Sequence, residues 1–200
     1  GILSFIGSLK YSRGDVNAAL KWFGRSYRTG KCKPRQVISY AYILLKLGNI
    51  DEAEKILNTL LSTTIDTDSK MIARSNRALV LWKKGHLDEA VEELEDVFKN
   101  FKTTIIFGSL GYLLILKGDL EKALAFNLEA CAYNGANTII LDNLGQTYYL
   151  MGDYDKAAET YEKLIPSNPS FPEAYYNFGL VLLKKGQPEK ALETMKKALN

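Results

Sequence analysis

One six-residue phrase returns six times along the chain, and no other feature restricts the fold as much. It reads Gly14-Asp15-Val16-Asn17-Ala18-Ala19, Gly48-Asn49-Ile50-Asp51-Glu52-Ala53, Gly85-His86-Leu87-Asp88-Glu89-Ala90, Gly118-Asp119-Leu120-Glu121-Lys122-Ala123, Gly152-Asp153-Tyr154-Asp155-Lys156-Ala157 and Gly186-Gln187-Pro188-Glu189-Lys190-Ala191. Its glycines are 34, 37, 33, 34 and 34 residues apart. Glycine tolerates the left-handed conformation that closes one helix, and acidic residues just after it suit the positive start of the next. Pro188 fits the same position, because the first turn of a helix has no use for its missing N–H. Each repeat therefore predicts helix, tight turn, helix.

Seven residues before each glycine stands a small residue: Gly7, Ala41, Ala78, Gly111, Gly145 and Gly179. Five residues after it there is always alanine. Helices approach closely only where side chains are small, so these positions mark the crossing inside each hairpin. Larger apolar residues flank it: Leu44, Leu81, Leu114, Tyr148 and Leu182 four before the glycine, and Phe23, Leu57, Leu94, Tyr161 and Met195 nine after it. Lys10 and Asn127 are the exceptions. One hairpin cannot bury both of its apolar faces, so the hairpins must stack.

This pattern resembles the tetratricopeptide repeat family, whose unit is 34 residues with small residues at the crossing and often a proline at the unit's end. Pro169 matches that proline, whereas the tryptophan favoured in the first helix is replaced by Leu3, Val37, Arg74, Phe107, Leu141 and Tyr175. The resemblance implies an all-α fold, a right-handed superhelical solenoid of about six helix-turn-helix repeats and about twelve antiparallel helices. It implies one domain over residues 1–200, with repeats at roughly 1–33, 34–67, 68–103, 104–137, 138–171 and 172–200. Arg74 and Arg77 make the third repeat the least typical, and the 37-residue interval is expected to lengthen the polar loop from Leu61 to Ser69.

By the same resemblance, the first helices line a concave face that holds a peptide or helix of a partner protein, which makes the chain an interaction scaffold or adaptor. The candidate groove residues are Tyr42, Trp82, Tyr112, Asp142, Gln146, Tyr149 and Tyr176. Tyrosine and tryptophan offer wide contact area with a polar edge; the plainer reading is that some of them only fill space between repeats. One variant of the family grips acidic chaperone tails with lysine, asparagine and arginine at set positions. Asn76, Asn143 and Asn177 match single positions, but the basic residues expected beside them are missing, so that ligand does not follow.

Charge supplies an alternative site. The chain has 26 basic and 23 acidic residues, yet residues 1–50 contain nine Lys and Arg against Asp15 alone. Lys21, Arg25 and Arg28 recur at helical spacing, with Lys31 and Lys33 just beyond, and such a strip suits an anion such as nucleic-acid or membrane phosphate. A solvated outer face is the plainer account, and no base-reading code of the kind RNA-binding repeats use is present. The first helix also shows Ile2, Leu3, Phe5, Ile6 and Leu9, and neither end carries a polar capping helix. Self-association through the ends, or a membrane tether preceding Gly1 with the array facing the cytoplasm, would cover them.

Catalytic chemistry finds no support in the residues. His86 is the only histidine and follows a turn glycine, where a cap role is expected. Cys32 and Cys131 are 99 positions apart without a metal-ligand pattern, which reads as two unpaired thiols. No enzyme, cofactor or metal is expected.

Overall fold

A computed structural model describes residues 1–199. Its twelve α-helices are α1 (Ile2–Ser12), α2 (Val16–Tyr27), α3 (Pro34–Lys46), α4 (Ile50–Leu61), α5 (Thr67–Lys83), α6 (Leu87–Asn100), α7 (Thr104–Lys117), α8 (Leu120–Asn134), α9 (Thr138–Leu150), α10 (Tyr154–Leu164), α11 (Pro172–Lys184) and α12 (Pro188–Lys196). Short 3-10 turns follow α10 and α12, and no strand occurs among the described residues. The helices form two compact units, Gly1–Phe101 and Lys102–Asn200. Each unit holds three of the expected hairpins.

All six turn glycines adopt a left-handed backbone, with φ between 70° and 91°. At most of the turns the residue after the glycine donates its N–H back to the carbonyl four before the glycine, as from Asn49 to Leu44 and from Asp153 to Tyr148. That bond caps the first helix. The second helix starts at the same residue: the side chains of Asp15, Asp119 and Asp153 accept from the N–H groups of Ala18, Lys122 and Lys156. His86 stands at the N-cap position without a side-chain capping bond, and its ring Nδ1 lies 3.0 Å from Glu89 Oε1.

The alanines five after each glycine are fully buried in all six hairpins. The small residue seven before it is a slot for the residue nine after it. A Cβ placed on Gly7 would lie 2.9 Å from the Phe23 ring, on Gly145 2.6 Å from the Tyr161 ring and on Gly179 2.4 Å from Met195. On Gly111 it would lie 2.1 Å from Asn127 Oδ1. Ala41 and Ala78 occupy the slot in the two hairpins whose second helix brings leucine, Leu57 and Leu94. Slot and insert are matched in size, as close packing demands.

The 37-residue interval is built differently from the expected long loop. Only residues 62–66 separate α4 from α5, while α5 starts 18 residues before Gly85; α3, α7, α9 and α11 each start 14 before their own glycine. The inserted residues thus add a turn of helix. Asp66 caps it by accepting from the Ser69 N–H, which offsets the weak helix propensity of Thr67, Asp68 and Ser69.

Candidate interaction faces

Unit 2 has the more elaborate face. In it α9 packs against both α7 and α11, so the three first helices lie side by side. Two hydrogen bonds tie them: Asn143 Nδ2 on α9 donates to the Gly108 carbonyl on α7 at 2.8 Å, and Asn177 Nδ2 on α11 donates to Asp142 Oδ1 at 3.1 Å. Two of the three asparagines that match the chaperone-tail pattern are therefore spent on holding helices together.

Asp142 is the focus of this face. It is 6% exposed, and its Oδ1 also accepts from the Tyr161 hydroxyl at 2.9 Å, while Oδ2 accepts from Gln146 Nε2 at 2.7 Å. Burial pushes the Asp142 carboxyl above the usual carboxylate range; the donors Asn177, Tyr161 and Gln146 oppose the shift, and Glu173 adds to it. Burial and the Asp142 charge raise the Tyr161 hydroxyl as well. Tyr112 on α7 is raised by burial and then by the charges of Asp142 and Glu173, which puts all three in one electrostatic neighbourhood.

Exposed apolar side chains lie on the same three helices. Ile105 and Ile139 stand at equivalent places in successive hairpins, as do Leu116 and Leu150, and all four are exposed. Tyr176 is 53% exposed and Leu183 48%. Tyr149, by contrast, leans on Tyr154 of α10 with ring centroids 5.7 Å apart and joins the edge of the core. Among the groove candidates in this unit, Asp142 and Gln146 touch, Tyr112 lies in the same field, Tyr176 projects outward and Tyr149 is largely packing. Asn177, named from the sequence only as a match to the chaperone-tail pattern, completes the centre with Tyr161 and Glu173, which sequence reasoning did not place there. The exposed apolar pairs one repeat apart were the available signal for the rim.

The unit 1 candidates are simpler. Tyr42 and Trp82 are half-buried on α3 and α5, with Lys46 Nζ 5.8 Å and Lys83 Nζ 4.0 Å from the respective ring centroids. The charged chemistry of this unit lies on another side. Arg74 meets Glu93 through two bonds of 2.9 and 3.2 Å and Asp96 at 2.8 Å, and Arg77 meets Glu93 at 2.7 Å. The bond to Glu93 is the main cause that holds Arg74 more firmly charged than usual. These groups edge a cleft of about 460 Å³ between α4, α5 and α6, which also has Glu54, Glu89 and Glu92 on its walls.

Lys21, Arg25, Arg28, Lys31 and Lys33 are all exposed, on α2 and the segment after it. The Arg25 guanidinium lies 4.9 Å from the centroid of the Trp22 ring. On α1, Ile2 is 79% and Phe5 69% exposed, whereas Leu3 and Ile6 are half-buried.

Cys32 and Cys131 are free thiols, and among the described residues no set of side chains is arranged to hold a metal ion. Among the described residues no helix is long and apolar enough to cross a membrane.

Comparison with known proteins agrees with this architecture. Tetratricopeptide repeat profiles match residues 39–97, 75–137 and 145–186. A thermophilic TPR protein of Thermus thermophilus is 25% identical, with a TM-score of 0.76, over 90% of this chain and 97% of that one. A tetratricopeptide repeat protein from Parabacteroides merdae superposes with a TM-score of 0.75 at 17% identity, covering 99% of this chain and 83% of its own. YrrB, a TPR protein with an unusual peptide-binding site, has a TM-score of 0.58 at 22% identity over 88% and 90% of the two chains. A search of the curated proteins gives no significant match. The repeated Gly–Ala phrase, the slot-and-insert crossings and these matches agree: the chain belongs to the tetratricopeptide repeat family.

Proposed function

We infer that the chain is a protein-interaction scaffold that holds a peptide or helix of a partner against the first-helix face of unit 2. The repeat fold generally mediates protein–protein contact, and one solved protein of this fold is described as having an unusual peptide-binding site. The observation that carries the reading is the set of exposed Ile105, Leu116, Ile139, Leu150, Tyr176 and Leu183 on α7, α9 and α11. An apolar surface rimming a polar centre is the composition of a recognition site, because the apolar part supplies affinity and the polar part orientation. Repeat proteins of this kind are generally non-enzymatic scaffolds, and here burial pushes the Cys131 thiol up, away from the reactive thiolate.

The test is selection of a random phage-displayed peptide library on the whole chain. Binding of the selected peptides is then measured by fluorescence polarisation to wild type and to a Tyr176→Ser, Leu183→Ser variant. Both positions are exposed, so the fold should survive, and affinity should fall about tenfold or more. Peptides that bind the two proteins alike, or a selection that yields none, would count against this face.

A second reading, anion binding to nucleic acid or a membrane surface through Lys21, Arg25, Arg28, Lys31 and Lys33, is favoured by one observation. All five are exposed and, among the described residues, none is in an ion pair. Binding to anionic vesicles or to nucleic acid through this strip would fall steeply from low to moderate salt, whereas apolar contact on unit 2 would hardly respond.

A further inference from the structure

Asp142 poses a problem that the fold alone does not resolve. A carboxylate taken out of water is costly unless a cation or a full set of donors compensates it. Among the described residues no lysine or arginine forms an ion pair with it; its partners are the neutral Tyr161, Asn177 and Gln146. The charged neighbour that acts on it is Glu173, of the same sign. For helix packing alone an asparagine would satisfy the same neighbours at lower cost.

The arrangement also distinguishes the two carboxylate oxygens. Oδ1 is used by Tyr161, which is fully buried beneath Gly145, and by Asn177 from the adjoining helix. Among the described residues Oδ2 is held only by Gln146, a half-buried side chain one turn further along α9. Oδ2 therefore keeps an unused lone pair, and the carbonyl of the Gln146 amide is a second acceptor next to it. Tyr112 and Glu173 share this neighbourhood from α7 and α11. In repeat register the lysines at the C-terminal ends of these helices, Lys117 and Lys184, stand nine and eight positions beyond the place of Asp142, roughly two to two and a half turns along the helix.

We propose that the Asp142–Gln146 pair, backed by Glu173, anchors a lysine or arginine side chain of a partner segment whose apolar residues rest on the surrounding isoleucine, leucine and tyrosine side chains. This rests on the unit 2 face being the binding surface, and it specifies the partner as a basic and apolar peptide in contrast to an acidic tail. The chemistry is direct. An ammonium or guanidinium supplies the missing counter-charge, donates to Oδ2 and to the Gln146 carbonyl, and covers its alkyl stem with the apolar rim. An acidic ligand would meet two carboxylates and be repelled.

The peptides selected on wild type decide the matter. They should carry Lys or Arg between apolar residues, and each is remade with norleucine in place of that residue. Against wild type the norleucine form should bind about tenfold or more weakly. Against Asp142→Asn the two forms should bind alike, with the norleucine form keeping its wild-type affinity, which shows that the variant is folded. A smaller loss of preference is expected from Glu173→Gln, an exposed position that puts no burden on folding.

Peptides that depend on Tyr176 and Leu183 yet show no preference for a basic residue would overturn the anchor while leaving the scaffold reading intact. A preference that persists undiminished in both Asp142→Asn and Glu173→Gln would do the same. Peptides indifferent to Tyr176 and Leu183 would overturn the face itself, and the anchor with it.

Discussion

Unit 1 and unit 2 are built from the same hairpin but accommodate polarity in different places. In unit 1 the second and third hairpins have alanine slots, Ala41 and Ala78, paired in register with Leu57 and Leu94, and the charged groups Arg74, Arg77, Glu93 and Asp96 remain on a half-exposed flank. In unit 2 the corresponding crossings admit Asn127 over Gly111 and Tyr161 over Gly145. Polar atoms are thereby carried into the interior: Asn127 Nδ2 donates to Thr147 Oγ1 at 3.1 Å, and the Thr147 hydroxyl donates to the Asn143 carbonyl at 2.7 Å. The missing Cβ makes both approaches possible, since one placed on Gly111 would lie 2.1 Å from Asn127 Oδ1 and one on Gly145 2.6 Å from the Tyr161 ring. The comparison shows how an array can keep one backbone plan while deciding, hairpin by hairpin, whether its first-helix face is backed by hydrocarbon or by hydrogen bonds.

Glu93 accepts from two arginines in unit 1 and is largely buried. Glu93→Ala leaves both guanidiniums without their main partner, and urea unfolding should show a loss of about 3 kcal/mol, as for other shielded ion pairs deprived of one member. A loss within the range of an exposed pair would mean that the flank of unit 1 contributes as little as an ordinary surface.

The slot rule itself is tested by Gly111→Ala, whose new Cβ collides with Asn127 Oδ1 and should cost about 2 kcal/mol through overpacking. Adding Asn127→Leu recreates the Ala–Leu crossing of unit 1 and removes a buried oxygen that has no hydrogen-bond partner. The double variant should recover wild-type stability. If it stays as unstable as the single one, slot and insert are not interchangeable between units.

The smallest effect concerns Asp142. Its folded-state pKa is raised, so the folded protein holds this proton more tightly than the unfolded chain. The stability this confers is present below the ordinary carboxylate value of 3.8 and is lost as pH rises through the elevated value. At neutral pH Asp142→Asn should consequently be more stable than wild type in urea unfolding, because the amide carries no charge to desolvate. The advantage should shrink in acid, and an advantage independent of pH would show that desolvation of the charge is not its origin.

Much of this was legible in the sequence, and the reasons are local. Turns need left-handed glycine, caps need a short acceptor such as Asp15 or Asp153, and crossings need small residues, so each left its mark within a few positions. The extra turn of α5 was hidden because Thr67, Asp68 and Ser69 read as loop formers, and their helix depends on the Asp66 cap. The centre around Asp142 was only partly visible. Its donors arrive from Tyr161 and Asn177, 19 and 35 residues away, and no local pattern records such a meeting. Tyr149 carried the opposite lesson, since an aromatic in a groove register turned out to be shared with the core edge.

Each glycine slot and its insert, 7 with 23, 111 with 127, 145 with 161 and 179 with 195, lie sixteen residues apart inside a single hairpin. A chain break or splice at the joint between hairpins keeps every such couple on one piece, whereas a break at a turn glycine separates them. Hairpins can accordingly be transplanted, duplicated or reordered as whole cassettes without re-tuning their internal fit. What a transplant must renegotiate is what crosses between cassettes, the apolar faces that neighbouring hairpins bury together and bonds such as Asn177 to Asp142.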